Sequence, residues 1–148
     1  MPSVTLSFGS SGPLLNAVIT PSAPLLNALQ KNKQSVPAPI PCILLIDTGA
    51  STTCLDQTIL SALQINPTGQ TLIHTPSSGG DGHSCPMYDV GIFIPGQVAG
   101  SLLHFVNPVP VVGTNFKIQG IQGLLGRDVL KNACLFYNGT TNLYTLSF

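Results

Sequence analysis

Turn-forming residues constrain this chain more than any other feature of its sequence. The 148 residues include 15 glycines and 13 prolines, which interrupt long helices and favour short strands joined by tight turns. Hydrophobic residues make up 43% of the chain, enough for a chain of this length to bury one core. The sequence therefore predicts a single, all-β domain with one or two short helices.

Charged side chains are scarce, and their balance argues against several kinds of partner. They make up 7% of the chain, with five Lys and Arg residues against five Asp and no Glu. Because no basic stripe is available to neutralise phosphates, we expect no nucleic acid partner. The low charge also favours association between copies of the chain.

The sequence has no pattern typical of export or membrane insertion. Its first lysine is Lys31, so the N-terminus lacks the positive lead of a secretory signal. The longest run of bulky apolar residues, Ile43–Ile46, is far too short to span a bilayer. The four cysteines are scattered, without the dense spacing of a disulfide framework. We therefore expect a cytoplasmic location, no membrane contact and buried or half-buried free thiols.

Alternating apolar and polar residues predict strands near the N-terminus. Val4–Phe8 has the pattern of a strand with one buried face, and Leu14–Thr20 is predicted to return beside it. Three prolines and two lysines in residues 31–41 indicate an extended connector. Residues 1–41 are thus predicted to be N-terminal strands and a connector, ahead of a core that spans residues 42–148.

Hydrophobic spacing and turn residues predict the remaining elements. Asp56 is a good helix N-cap, since apolar residues at helical spacing follow it. Thr71–Thr75 and Met87–Ile94 are predicted to form a hairpin with a glycine-rich tip. Further predictions are a short helical turn at Leu25–Gln30, a short helix at Val129–Ala133, strands at Leu102–Val106 and Val109–Val112, and a terminal hairpin of Cys134–Tyr137 and Leu143–Phe148 around an Asn-Gly turn.

One carboxylate stands directly after the most apolar part of the chain. Cys42–Ile46 is a continuous apolar run, which predicts a strand buried on both faces. It ends at Asp47, whose carboxylate is therefore expected at the edge of the core. Thr48 can donate a hydroxyl hydrogen bond to it, and Gly49 lets backbone amides approach closely. Such a held carboxylate is suited to general acid–base chemistry.

Hydrolysis of an amide by carboxylates needs two of them, a base for the water and an acid for the carbonyl oxygen. The chain has no second Asp-Thr-Gly or Asp-Ser-Gly, and its other acids stand in different local patterns: Asp56, Asp81, Asp89 and Asp128. A second copy of the chain could supply the missing group, because a two-fold axis beside Asp47 would bring Asp47 and its symmetry mate together.

Two segments resemble the signatures of one enzyme family. Leu44–Ser51 reads Leu-Leu-Ile-Asp-Thr-Gly-Ala-Ser, similar to the active-site strand and loop of aspartic proteases. Gly123–Leu130 reads Gly-Leu-Leu-Gly-Arg-Asp-Val-Leu, which resembles the second signature of the retropepsins. The resemblance covers residues 42–148, and the ending of the chain looks more like bacterial single-domain members than viral ones. It implies a retropepsin-like closed β-barrel subunit that is active as a two-fold homodimer.

The resemblance implies a role for each matching residue. It implies that Asp47 is the catalytic carboxylate, one from each subunit, and that the substrate is a peptide or protein bound in extended form. Residues of the catalytic loop and its support are Thr48, Gly49, Ala50, Arg127 and Asp128. A flap that closes over the substrate comprises Thr75, Pro76, Ser77, Ser78, Gly79 and Gly80. The family implies neither a metal nor another cofactor.

Two features depart from the viral pattern of this family. Viral members often carry an acid two residues after the catalytic glycine, which pairs with the arginine of the second signature. Here that position is Ser51, so Arg127 needs another partner, either Asp128 or a carbonyl. The N-terminal stretch is also longer than in a minimal viral subunit, and it could make dimer contacts, cover the cleft or be removed by self-processing.

Other chemistries fit the sequence less well. His74, Asp81, His83 and Cys85 are capable of binding metal, but they lack a standard zinc spacing, and solvated loop residues are the better interpretation. His104 is expected in the core or at an edge, and Tyr88 is expected on a strand, within possible reach of substrate. The main alternative function is a retropepsin-fold dimer that binds peptides without cutting them. A purely structural β domain leaves Asp47 and the Gly-Arg-Asp motif unexplained.

Overall fold

A computed structural model describes residues 1–74, 81–117 and 119–148 of the chain. Within these ranges the chain forms strands and three helices, in the order β1 (Ser3–Ser7), β2 (Leu14–Pro21), α1 (Ala23–Lys31), β3 (Ile40–Ile46), β4 (Cys54–Asp56), α2 (Gln57–Ala62), β5 (Gly69–Ile73), β6 (His83–Pro95), β7 (Leu102–Thr114), β8 (Gly123–Leu125), α3 (Arg127–Leu130), β9 (Cys134–Asn138) and β10 (Leu143–Ser147).

Six strands close into a barrel around the core, which confirms the predicted architecture. Their order is β2-β3-β8-β4-β7-β6, and pairing of β2 with β6 closes the ring. Strand β5 extends the sheet beyond β6. The inward side chains are aliphatic, and several are fully buried, including Leu44, Leu55, Val90, Ile92 and Leu125. Burial of such side chains is the main force that holds a barrel of this size together.

The terminal strands form a separate sheet of order β1-β10-β9, and this corrects the predicted pairing of β1 with β2. Val4 of β1 lies opposite Leu146 of β10, whereas Leu15 of β2 lies opposite Leu44 of β3. The alternation in β1 showed correctly that one face is buried. It could not show which strand covers that face, because strands distant in sequence supply it.

The prediction that β3 is buried on both faces is wrong. Cys42, Leu44 and Ile46 are buried, while Ile43 between them is 41% exposed. A barrel wall has one face toward the core and one face toward the outside, so even an entirely apolar strand alternates in burial. An apolar run alone does not distinguish this arrangement from a strand between two layers.

Strand β7 is one long strand where the sequence predicted two. The two predicted strands are separated by Asn107 and Pro108, and proline lacks the N–H that a ladder needs. The ladder between β6 and β7 pairs Val90 with Val109 and Ile92 with Val106, so a bulge lies at this point. The bulge accommodates the proline without ending the strand.

The helices are short, and there are three in the described ranges rather than one or two. Helix α1 is longer than the predicted turn, and the side-chain oxygen of Asn107 accepts a hydrogen bond from the Ala23 amide at its start, at 2.8 Å. Helix α2 begins after Asp56, as predicted. Helix α3 begins at Arg127, two residues before its predicted start. None of these helices is long and apolar enough to cross a membrane.

The terminal hairpin pairs β9 with β10 as predicted, but its turn is built differently. The side chain of Asn138 accepts hydrogen bonds from the amides of Thr140 and Thr141, at 3.0 and 3.2 Å. The residue with a positive φ is Asn142, at 53°, rather than Gly139. The phenol of Tyr144 donates to the carbonyl oxygen of Leu14, which joins the terminal sheet to the barrel.

Candidate active site

Asp47 lies directly after β3, where the chain turns away from the barrel wall. Strand β8 runs between β3 and β4, parallel to the first and antiparallel to the second. The amide of Asp47 donates to the carbonyl oxygen of Leu125 in β8, at 3.1 Å. The segment from Asp47 to Thr53 therefore leaves the sheet at β3 and re-enters it at β4. Strand β8 pairs with both of these strands, so it holds both ends of the segment.

The carboxylate of Asp47 is half-buried and is held by the backbone that follows it. One oxygen, Oδ1, accepts hydrogen bonds from the amides of Gly49 and Ala50, at 2.8 and 3.3 Å. The close approach of backbone amides was expected, but the expected bond from the hydroxyl of Thr48 does not form, and that side chain is exposed. A Cβ at position 49 would lie 3.1 Å from Oδ1, so glycine permits this close approach.

Arg127 binds the backbone of the loop that follows Asp47 through two hydrogen bonds. Its Nη1 atom donates to the carbonyl oxygen of Thr48 at 3.1 Å, and its backbone amide donates to the carbonyl oxygen of Ala50 at 3.0 Å. Of the two partners that the sequence left open, the side chain thus has a carbonyl, not Asp128. Both bonds fix the backbone immediately after Asp47.

Asp128 and Thr53 form a second link between the two signature segments. The amide of Thr53 donates to Oδ2 of Asp128 at 2.9 Å, and its hydroxyl donates to Oδ1 at 2.7 Å. The same hydroxyl accepts from the amide of Gly126 at 3.0 Å. A Cβ on Gly126 would lie 2.7 Å from the backbone of Thr52, so the two segments pack in direct backbone contact.

A cleft of about 800 Å³ opens beside Asp47. Its walls come from the loop after β3, from β5 and from the end of β7, and among the described residues that line it Asp47 is the only acid. The lining residues are Asp47, Gly49, Ala50, Ser51, Thr52, Cys54, Thr71, Leu72, Ile73, His74, Val112, Thr114, Asn115, Phe116, Gln119 and Leu124. Most of these side chains are apolar or neutral, which suits an uncharged, extended ligand.

The predicted flap lies outside the described residues. This applies to Thr75, Pro76, Ser77, Ser78, Gly79 and Gly80. The strands that lead to them, β5 and β6, pair as an antiparallel hairpin, with Ile73 opposite His83. On β6, Tyr88 does not face a substrate: it is 4% exposed, and its oxygen accepts a hydrogen bond from Nε2 of Gln57 at 2.8 Å.

The alternative reactive groups are dispersed in the part of the chain that the structure describes. There, no three His, Cys, Asp or Glu side chains are grouped as a metal site requires. His74 lines the cleft, whereas Asp81 and His83 are exposed. His104 stacks on the ring of Phe148 with centroids 4.0 Å apart, and partial burial lowers its pKa.

One thiol faces the cleft, a feature that no sequence motif indicated. Cys54 lines the wall near Asp47, and burial, followed by the nearby groups Asp128, Cys85 and Asp47, raises its pKa to about 11. The thiol is therefore protonated at neutral pH and acts as a small apolar wall residue. Cys42 is buried with a pKa raised to about 12, and Cys134, against expectation, is exposed.

Sequence reasoning missed the part of the cleft wall formed by Thr114, Asn115, Phe116 and Gln119. Phe116 and Gln119 line the cleft from the segment between β7 and β8, which carries no motif. Asp56, predicted only as a helix cap, also accepts a hydrogen bond from the amide of Phe116, at 2.7 Å. No local pattern signals this bond, because the two residues are 60 positions apart.

Comparisons with known proteins support the fold. No protein-family model matches the sequence, and no curated protein matches it. Among solved structures, a retropepsin-like aspartic protease from Rickettsia conorii is similar, with a TM-score of 0.58. The alignment covers 97% of this chain and 89% of that chain at 15% sequence identity. The chain therefore has a retropepsin-like fold, a closed six-stranded barrel with few short helices.

Proposed function

We propose that this protein is an aspartic endopeptidase whose active form is a homodimer. The observation that carries the proposal is the geometry of Asp47, a carboxylate that two amides fix and that lines a largely neutral cleft. The retropepsin-like fold supports the same conclusion. One chain supplies one such carboxylate, so the complete site needs Asp47 from two copies.

Two facing carboxylates share one proton, because two like charges at about 3 Å cannot both ionise. The ionised group takes a proton from a water molecule as the water oxygen attacks the peptide carbonyl carbon. The protonated group gives its proton to the carbonyl oxygen. The carboxyl that took the water proton then gives it to the nitrogen as the C–N bond breaks, and the other carboxylate takes a proton from one hydroxyl of the tetrahedral carbon as the product carboxyl forms.

The cleft walls indicate the substrate class. Leu72, Val112, Phe116 and Leu124 offer apolar surface, while Thr71 and Thr114 offer hydroxyl groups. We therefore expect cleavage of extended peptides between uncharged, mostly apolar side chains. The exposed edge of a strand can pair with such a peptide by backbone hydrogen bonds.

The test is a digestion of a peptide library from about pH 4 to about pH 7, with products measured by mass spectrometry. Wild-type protein should cleave peptides, and Asp47→Asn should fold but cleave none. Asp89→Asn is the matched control, since Asp89 lies on β6 and does not line the cleft. Equal activity in wild type and Asp47→Asn would falsify the assignment.

Two further results separate the proposal from the alternative. Specific activity should fall on dilution below the dissociation constant of the dimer, because a single chain lacks the second carboxylate. If wild-type protein cleaves no library peptide, and both wild type and Asp47→Asn bind peptides, the alternative function, peptide binding without cleavage, is favoured.

A further inference from the structure

Asp56 is the most buried acid of the chain, and helix capping does not account for all its contacts. It is 5% exposed. Its Oδ1 atom accepts from the amide and the hydroxyl of Thr58, at 2.9 and 2.6 Å, which begins helix α2. Its Oδ2 atom accepts from the amide of Phe116 at 2.7 Å. The second oxygen therefore acts outside the helix.

Phe116 belongs to the wall of the cleft. Its side chain is 5% exposed and lines the same cavity as Asp47. The wall turns back at this point, since the amide of Gln119 donates to the carbonyl oxygen of Phe116 at 2.9 Å. Both residues joined by this bond line the cleft, so the turn forms part of its wall.

Asp56 also holds the far end of the same segment. Its backbone amide donates to the carbonyl oxygen of Gln122 at 2.8 Å, just before β8 begins. One residue thus binds the segment between β7 and β8 at both ends, by its side chain at Phe116 and by its backbone at Gln122. A hydrogen bond to an ionised acceptor is stronger than one between neutral groups.

We propose that Asp56 is a positioning residue for substrate binding. It fixes the part of the cleft wall that Phe116 forms. It touches neither the substrate nor Asp47, so it is not catalytic. The inference rests on the proposed function for its kinetic consequence, but the structural consequence, an ordered wall, is independent of catalysis.

Asp56→Asn separates the two tasks of this side chain. The asparagine oxygen can still accept from Thr58, so the helix cap is kept. Its NH₂ group then faces the amide of Phe116 as a second donor, and that bond is lost. Thr58→Val is the matched control, because it removes the hydroxyl bond to the same carboxylate and leaves the bond to Phe116 in place.

The expected result has two parts. In Asp56→Asn, KM for a cleaved peptide should rise roughly fivefold to tenfold, while kcat stays within about twofold of wild type. The reason is that a displaced wall weakens the binding of the substrate and of the transition state alike. The amide of Phe116, followed by NMR hydrogen exchange, should exchange at least about tenfold faster than in wild type. Thr58→Val should leave both quantities near the wild-type values.

Unchanged KM and unchanged exchange in Asp56→Asn, or equal changes in Thr58→Val, would overturn the inference. If wild-type protein cleaves no peptide, the proposed function fails, and the Phe116 exchange rate decides the positioning role alone. If Asp56→Asn does not fold, Asp56→Ser replaces it, because serine is a preferred cap that is too short to reach Phe116. Failure of both variants to fold would also contradict the inference, since Asp56 would then be required by the whole domain.

Discussion

The guanidinium of Arg127 donates to the carbonyl oxygen of Thr48 at 3.1 Å, the residue next to the candidate catalytic Asp47. This bond joins two segments that are 79 positions apart. Of the two partners that the sequence left open for this arginine, the structure has the backbone carbonyl. The guanidinium therefore fixes the direction of the Thr48 carbonyl group.

Arg127→Met should reduce peptidase activity more than stability. Loss of the bond to Thr48 frees the backbone after Asp47, and a displacement of about 1 Å in a catalytic group can cost about a hundredfold in rate. Because Arg127 is exposed, the free energy of unfolding should fall by less than about 1 kcal/mol. Initial rates on one peptide substrate and urea denaturation measure the two effects.

Lys131→Met is the matched control for Arg127→Met. Lys131 carries the same charge and follows helix α3 directly, and its side chain makes no hydrogen bond to the described part of the loop. Its activity should remain within about twofold of wild type. Equal losses in both variants would show that net charge, rather than the bond to Thr48, supports activity.

Thr53→Val should destabilise the fold strongly. Thr53 is fully buried, and its hydroxyl donates to Asp128 and accepts from Gly126, at 2.7 and 3.0 Å. Valine leaves both partners without this bond, and each unsatisfied group costs about 1–3 kcal/mol. We expect a loss of at least about 2 kcal/mol in urea denaturation.

Thr53→Ser provides the comparison, since it keeps the hydroxyl and removes one methyl group. Its loss should be about 1 kcal/mol. If valine were tolerated as well as serine, the bonds from Thr53 to Asp128 and Gly126 would contribute little to stability.

Local sequence patterns were sufficient where the interacting residues are neighbours. The carboxylate of Asp47 is bound by amides two and three positions ahead, and Asp56 caps a helix that begins at the next residue. Such contacts depend on residue type and spacing alone. The closed barrel was expected only through the resemblance of the two signature segments to the retropepsins.

Long-range contacts were not predictable in the same way. The pairing of β1 with β10, the exposure of Ile43 and the bond from Phe116 to Asp56 depend on which elements meet in the folded chain. A strand pattern specifies a buried face but not its partner. The cleft wall around Phe116 was missed for this reason, because only the fold brings it near Asp47.

The thiols should react with iodoacetamide in an order set by burial. Cys134 is exposed and should be alkylated first. Cys42, buried and with a pKa raised to about 12, should react only when the protein unfolds. Cys54, with a pKa raised to about 11 mainly by burial, should react slowly and more slowly still with a peptide in the cleft. Peptide mapping by mass spectrometry measures each rate, and a peptide that protects Cys134 but not Cys54 would contradict the assigned cleft.

The stability that Asp56 provides should depend on pH in the acid range. Burial alone would raise the pKa of its carboxyl, but the hydrogen bonds from Thr58 and Phe116 and the nearby charge of Lys117 outweigh it and lower the pKa below its usual value. A group with a lowered pKa in the folded state contributes stability above its unfolded pKa, about 3.9. That contribution is lost as the pH falls through the folded pKa.

The difference in free energy of unfolding between wild type and Asp56→Asn should therefore be largest above about pH 5 and should shrink below about pH 4. Urea denaturation of both proteins at a series of pH values measures it, and a difference that stayed constant down to the lowest pH at which both fold would show that the Asp56 carboxylate does not stabilise the wall through its charge.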